Sequence, residues 1–178
     1  MTVPPYSRST PGCLYAALDD KRASEGMTWA AVARALWETS GELNARRPRD
    51  HPISTSAITS LRDKGRTSCQ HVLFMLRWLD LPPEAFLGDG REVTDIRLPA
   101  ADAAHRLRWD VRGMGATLDD RRREDDLTWP GLARHIGCQP GQLSGLRTAR
   151  YATNIDLAMR VVQWLGVAST AFIYCGTW

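Results

Sequence analysis

Apolar positions recur along this chain at helical spacing. Leu14, Ala17 and Leu18, together with Arg22, are spaced for one helix, which Gly26 can end as a C-terminal cap. Val32, Ala33 and Leu36 line one face of a second helix, for which Thr28 is a suitable N-cap. Leu43 lies seven residues beyond Leu36, so this helix is expected to run on to about Asn44. Ile58 and Leu61 mark a short third helix that Ser54 can cap, and Val72, Met75, Leu76 and Leu79 mark a fourth. Runs of Val, Ile and Thr with period-two alternation are absent, so strands are not expected.

The pattern then repeats. Leu18-Asp-Asp-Lys-Arg22 matches Leu118-Asp-Asp-Arg-Arg122, and the same offset carries Met27-Thr-Trp onto Leu127-Thr-Trp and Arg34 onto Arg134. Ile58-Thr-Ser-Leu-Arg62 matches Leu143-Ser-Gly-Leu-Arg147 at an offset of 85, and Leu76-Arg-Trp-Leu79 matches Val162-Gln-Trp-Leu165 at 86. The first copy therefore carries extra residues, Trp37 to Pro52, between its second and third helices. Thr128 caps the second helix of copy two, Pro130 is tolerated in its first turn, and Gly137 stops it. Gln139 can cap the third. The expected fold is all-α, with two tandem units of four to five short helices over residues 11–87 and 106–178. A flexible N-terminus at 1–10 and a linker at 88–105 complete the division.

Composition narrows the class. Hydrophobic content of 43% and charged content of 24% are those of a folded globular chain. No apolar run reaches membrane-spanning length, and MTVPPYSRSTPG lacks the basic-then-apolar order of a secretory signal, so the cytoplasm is the expected compartment. Cysteines 13, 69, 138 and 175 include no Cys-x-x-Cys pair and read as reduced structural thiols. The net charge of +3 is patterned: Leu43–Leu79 holds seven basic residues against two acids, and Leu127–Ile155 holds three arginines and no acid. Between them, Asp80–Asp126 has twelve acids against eight arginines. Two basic zones split by an acidic one suggest two polyanion-facing surfaces, or else a solvated charge mix.

Only Gly137-Cys138-Gln139 separates the second and third helices of copy two, a turn of helix-turn-helix length. Each copy resembles the helix-turn-helix domain of the Cro and phage-repressor (XRE) family. Copy one offers Arg22, Gly26-Met27-Thr28 and Ala33, and copy two offers Arg122, Leu127-Thr128, Ala133, Gly137-Cys138-Gln139 and Leu143-Ser144. The resemblance covers about 140 of the 178 residues. It implies sequence-specific double-stranded DNA binding and transcription regulation, with the third helix of each unit in the major groove. On it, Thr28 and Thr128 begin the bracing helix. Gln139, Gln142, Ser144 and Arg150 are the candidate readers in copy two, and Thr55, Ser56, Ala57, Thr59 and Ser60 in copy one.

Departures from the family pattern shape these expectations. Where the family places a phosphate-binding Gln, both copies place Trp, at 29 and 129. An indole N–H can donate to a phosphate, and the same ring can plug the core. Where the family ends the third helix with a Glu that pairs with the helix-one Arg, this chain has Arg62 and Arg147, with Arg22 and Arg122 retained. Two arginines do not pair, so Asp19 or Asp20, and Asp119 or Asp120, are expected to accept Arg62 and Arg147. Arginines left in solvent would instead contact phosphate or guanine. Gly141 and Gly145 weaken the third helix of copy two, each by about 1 kcal/mol relative to Ala. In the insert, Arg46, Arg47 and Arg49 form a basic loop suited to a phosphate-contacting arm, or to ordinary solvation.

The linker permits two arrangements. Eighteen extended residues span about 60 Å, enough for two half-sites about 34 Å apart. Alternatively, Ala100–Ala104 and Leu107-Arg-Trp109 form a helix that packs the copies into one body. The apolar tail Phe172–Trp178 is a candidate homodimer surface. The alternative function is a helical protein-interaction module that has lost DNA reading. The four histidines are scattered, and no catalytic motif or phosphate-cradling glycine loop occurs, so neither an enzyme nor a cofactor is expected.

Overall fold

The computed structural model describes residues 11–87, 95–148 and 153–177. The N-terminal segment 1–10, the linker's first residues and Arg150 lie outside them. Helix α1 spans Pro11–Ser24, α2 Trp29–Glu38, α3 Gly41–Arg46, α4 Thr55–Lys64 and α5 Cys69–Leu79, followed by a 3-10 turn at Pro83–Phe86. The second half begins with a strand, β1 (Arg106–Trp109), then α6 (Val111–Glu124), α7 (Trp129–Ile136), α8 (Pro140–Thr148) and α9 (Ile155–Leu165). A second 3-10 turn, Ser169–Phe172, leads into β2 (Ile173–Gly176). The fold is thus mainly helical, and among the described residues no helix is long and apolar enough to cross a membrane.

Local chemistry accounts for the helix boundaries. The hydroxyl oxygens of Thr28 and Thr128 accept from the Ala31 and Gly131 amides at 3.2 Å, so each occupies one of the unpaired N–H groups of its helix. Gly137 closes α7 at φ +73, a left-handed conformation that costs glycine little. The cap of α8 differs from expectation: the Gln142 side chain accepts from the Gln139 amide at 2.9 Å, so the later glutamine does the capping. The insert also departs from the pattern. Helix α2 ends at Glu38, and Leu43 is buried from a separate helix, α3.

Two strands form where none was expected. Arg106–Trp109 pairs antiparallel with Ile173–Gly176, and the same pairing replaces the helix anticipated over Leu107–Trp109. The alternation signal was present in Arg-Leu-Arg-Trp, but four residues of it carry little weight against base composition. Pairing also consumes the apolar tail. Phe172 and Ile173 are buried in the core, Tyr174 and Cys175 are half-buried, and Trp178 lies outside the described residues.

The halves share one apolar core that runs from Leu14 and Leu18 through Val72 and Met75 to Val161 and Ile173. They meet at related positions. The Cys69 amide donates to the Thr153 carbonyl at 2.8 Å, and the Ile155 amide donates to the Thr67 carbonyl at 3.2 Å. Ser68 and Asn154, which bridge between these bonds, occupy the same place in the two copies. The two bonds are the reciprocal pair of an isolated antiparallel bridge, and they join the same place of the two copies.

Two further ties hold the linker and β1 to the first half. The Arg77 guanidinium donates to the carbonyls of Thr39, Ala101, Asp102 and His105 and to the Ser40 hydroxyl, all within 2.9 Å. The Gln70 amide donates to the Trp109 carbonyl at 3.0 Å and accepts from its N–H at 3.4 Å, so α5 binds β1 as a strand edge would. Glu84 adds a charge-assisted cap across the interface, accepting from the Ser169 amide at 2.6 Å and its hydroxyl at 2.8 Å.

Candidate nucleic-acid interface

The two turns before α2 and α7 are built by one device. Arg22 pairs with Asp19 at 2.6 Å and donates to the Met27 carbonyl at 2.9 Å, while its guanidinium lies 5.1 Å from the Trp29 ring. Arg122 pairs with Asp119 at 2.8 Å, donates to the Leu127 carbonyl at 2.6 Å and lies 4.8 Å from the Trp129 ring. The arginine so fixes the angle between the first and second helices. Both tryptophans are half-buried against the core, and their faces carry the guanidinium. The indoles therefore act as packed platforms for a cation.

This arrangement corrects the expected charge swap. Asp19 and Asp119 are taken by the arginines of their own helices, which lie three residues on and are reached without any movement of the third helix. Arg62 instead pairs with its neighbour Asp63 at 2.7 Å and lies 5.9 Å from the Tyr15 ring. Arg147 is exposed and lies 5.5 Å from the Trp129 ring, on which Arg122 also sits. The Trp129 ring thus attracts two guanidinium groups, of which Arg122 also has the Asp119 carboxylate.

The proposed readers are turned outward to different degrees. Thr55, Ser56, Gln139, Gln142, Ser144 and Arg147 are exposed, and Ala57, Thr59 and Ser60 are half-buried. Some already have partners in their own helix. Ser60 donates to the Ser56 carbonyl at 2.7 Å, Ser144 donates to the Gly141 carbonyl at 2.8 Å, and Gln142 caps α8. Thr28 and Thr128 are exposed at the helix starts that they cap. Nothing lies within 4 Å of a side-chain carbon built at Gly141 or Gly145, so the outer face of α8 is open.

The insert is less basic than its sequence. Arg46 lies 3.6 Å from Glu42, and Arg47 pairs with Asp50 at 2.9 Å, so two of the three loop cations have carboxylates at hand. Arg49 is exposed and borders a cleft between the insert, α5 and β1. Asp50, Gln70, His71, Arg106 and Arg108, which no local sequence pattern marks as neighbours, line this cleft. Arg106 is buried and donates to Asp50 and to Asn44 at 2.6 Å each, with its guanidinium 4.5 Å from the Trp37 ring. Hydrogen bonds from Arg47 and then Arg106 hold the Asp50 carboxyl below its ordinary range. Burial, and next the charge of Arg106, lower the Arg108 pKa from its usual value. Burial pushes the Cys69 thiol up to about 12, which leaves it an unreactive core side chain. No family model, curated protein or solved structure matches the chain.

Proposed function

We propose that this chain binds double-stranded DNA as a transcriptional regulator, with α4 and α8 as a two-fold-related pair of major-groove helices. The observation that carries the reading is the reciprocal bonding of Thr67 and Cys69 with Thr153 and Ile155. A helix-turn-helix dimer reaches a pseudo-palindromic operator through two-fold symmetry, and here one chain carries both members. Exposed hydroxyl, amide and guanidinium groups on α4 and α8 supply contacts to phosphates and base edges. Arg62 and Arg147 occupy the same place in the two copies and are the principal cations on those helices.

Selection of bound duplexes from a random pool tests the reading. An enriched bipartite motif with inverted halves is the expected result. Replacing Arg62 and Arg147 by Ala should reduce the slope of log K against log salt by about 0.9 for each phosphate that is no longer neutralised. No enrichment, with no gel shift of random duplex at low salt, would favour the helical protein-interaction module instead.

A further inference from the structure

The third helices α4 and α8 stand in the same place of the two copies, yet their outward side chains differ in kind. At the repeat's offset of 85, Ser54 stands where α8 has Gln139, and Ala57 stands where it has Gln142. Both glutamines are exposed and lie at the start of the helix, the end that meets base edges in a helix-turn-helix. The Gln139 side chain has no hydrogen-bond partner among the described residues, so its carbonyl and its NH2 are both open. The Gln142 carbonyl accepts from the Gln139 amide at 2.9 Å, which leaves its NH2 as a donor. The first copy offers hydroxyls instead, and most are engaged: Ser54 bonds Ser56 at 2.7 Å, and Ser60 donates to the Ser56 carbonyl. The arginines differ in the same direction. Arg62 is tied to Asp63 at 2.7 Å. Thr148 stands at the place of Asp63, and Arg147 has no carboxylate partner among the described residues.

We infer that the chain sits on DNA in one orientation: the half of the site beneath α8 is selected by base, and the half beneath α4 is held with little selection. The inference rests on the DNA-binding reading above and goes beyond it, since a two-fold arrangement by itself asks only that the halves be inverted. An amide with both ends open pairs with the N6 and N7 atoms of adenine, a combination that no other base presents in the major groove. A hydroxyl donates or accepts and pairs with any base or with a phosphate, so the exposed Thr55 adds hold without choice. Two identical subunits fit a site equally well either way round. One chain with unequal helices does not.

Duplex selection from a random pool, run side by side on the full chain, Gln139→Ala and Ser54→Gln, tests the inference. The wild-type motif should have one sharply defined half containing an adenine and one nearly unselective half. Gln139→Ala should lower the preference for that adenine about tenfold, measured with point-substituted duplexes, and leave the other half unchanged. Ser54→Gln, at an exposed position whose side chain caps no helix amide, should add a preferred adenine in the weak half. It keeps the test valid if Gln139→Ala loosens α8. Two equally defined halves would overturn the inference and leave the DNA-binding reading standing. The inference would equally fall if both substitutions acted on the same half, or if neither changed the motif. No enrichment at all would remove the DNA-binding reading, and this inference with it.

Discussion

The two halves solve one packing problem with different side chains. Tyr15 of α1 stacks on Trp29 at 5.1 Å and stands between that ring and Arg62. At the matching place in α6 the residue is Gly115, where a side-chain carbon would come within 3.1 Å of the Leu146 carbonyl. Helix α6 therefore lies directly on the backbone of α8, and Arg147 reaches Trp129 with no tyrosine between. A second contrast concerns the turn. Trp37 of the first half stacks on Phe74, whereas at the corresponding places Arg160 donates to the Gly137 carbonyl and pairs with Asp156 at 2.8 Å. One scaffold thus tolerates an aromatic or a polar fastening at each joint. With glycine at this place the first and third helices meet at the backbone, and the arginine of the third helix reaches the tryptophan.

Four substitutions put this contrast between the halves to the test. The largest effect is expected from Arg77→Ala, because its donors close four carbonyls and a hydroxyl that hold the linker. Loss of such a network costs about 3–5 kcal/mol. That lowers the thermal midpoint by about 10 °C, readable by circular dichroism. Gln163, which occupies the same place in the second half and bonds the Met159 carbonyl, should cost under about 1 kcal/mol as Ala. Equal losses at the two positions would show that the halves are fastened alike.

Asp50→Asn tests the insert, which has no counterpart in the second half. It removes the carboxylate shared by Arg47 and Arg106, at about 2 kcal/mol near neutral pH. The folded carboxyl titrates below its ordinary value of 3.8, so its stabilisation is complete above that value. It is lost as pH falls through the lower folded value. The gap between wild-type and variant melting temperatures should therefore close in acid, and a gap independent of pH would rule out the ion pair as its source.

Gly115→Ala should have a smaller effect, about 1–2 kcal/mol, as the helix gives way against the Leu146 backbone. The same change should weaken the Arg147–Trp129 contact, seen as altered tryptophan emission. A stabilised variant would mean that α6 and α8 separate freely, as a tyrosine in the first half already requires.

Much of the helical framework was legible in the chain. Thr28, Thr128, Gly26 and Gly137 act at helix ends because capping is local chemistry, and the apolar positions Ile58, Leu61, Leu143 and Leu146 are buried as their spacing predicts. Less of the candidate site could be read. Arg22 and Asp19 sit three apart on one helix and Asp63 follows Arg62, so local pairs take the place of the longer-range pairing that the family pattern suggests. Arg106, Gln70 and Asp50 converge from segments between 20 and 56 residues apart, and nothing in the local pattern marks them as neighbours.

The order of residues alone was enough to set the repeat, the helix starts and stops, and the apolar face of each helix, since these depend on contacts within one or two turns. Packing between distant segments settled the rest. The β1–β2 pair forms because Leu107 and Trp109 find a buried place against α5, although Arg-Leu-Arg-Trp has little strand signal of its own. The reciprocal contact of the two halves, the Arg77 ties and the cationic cleft likewise depend on residues distant in the chain. Their energies come from which groups are brought together out of water, and that is set only once the core has closed.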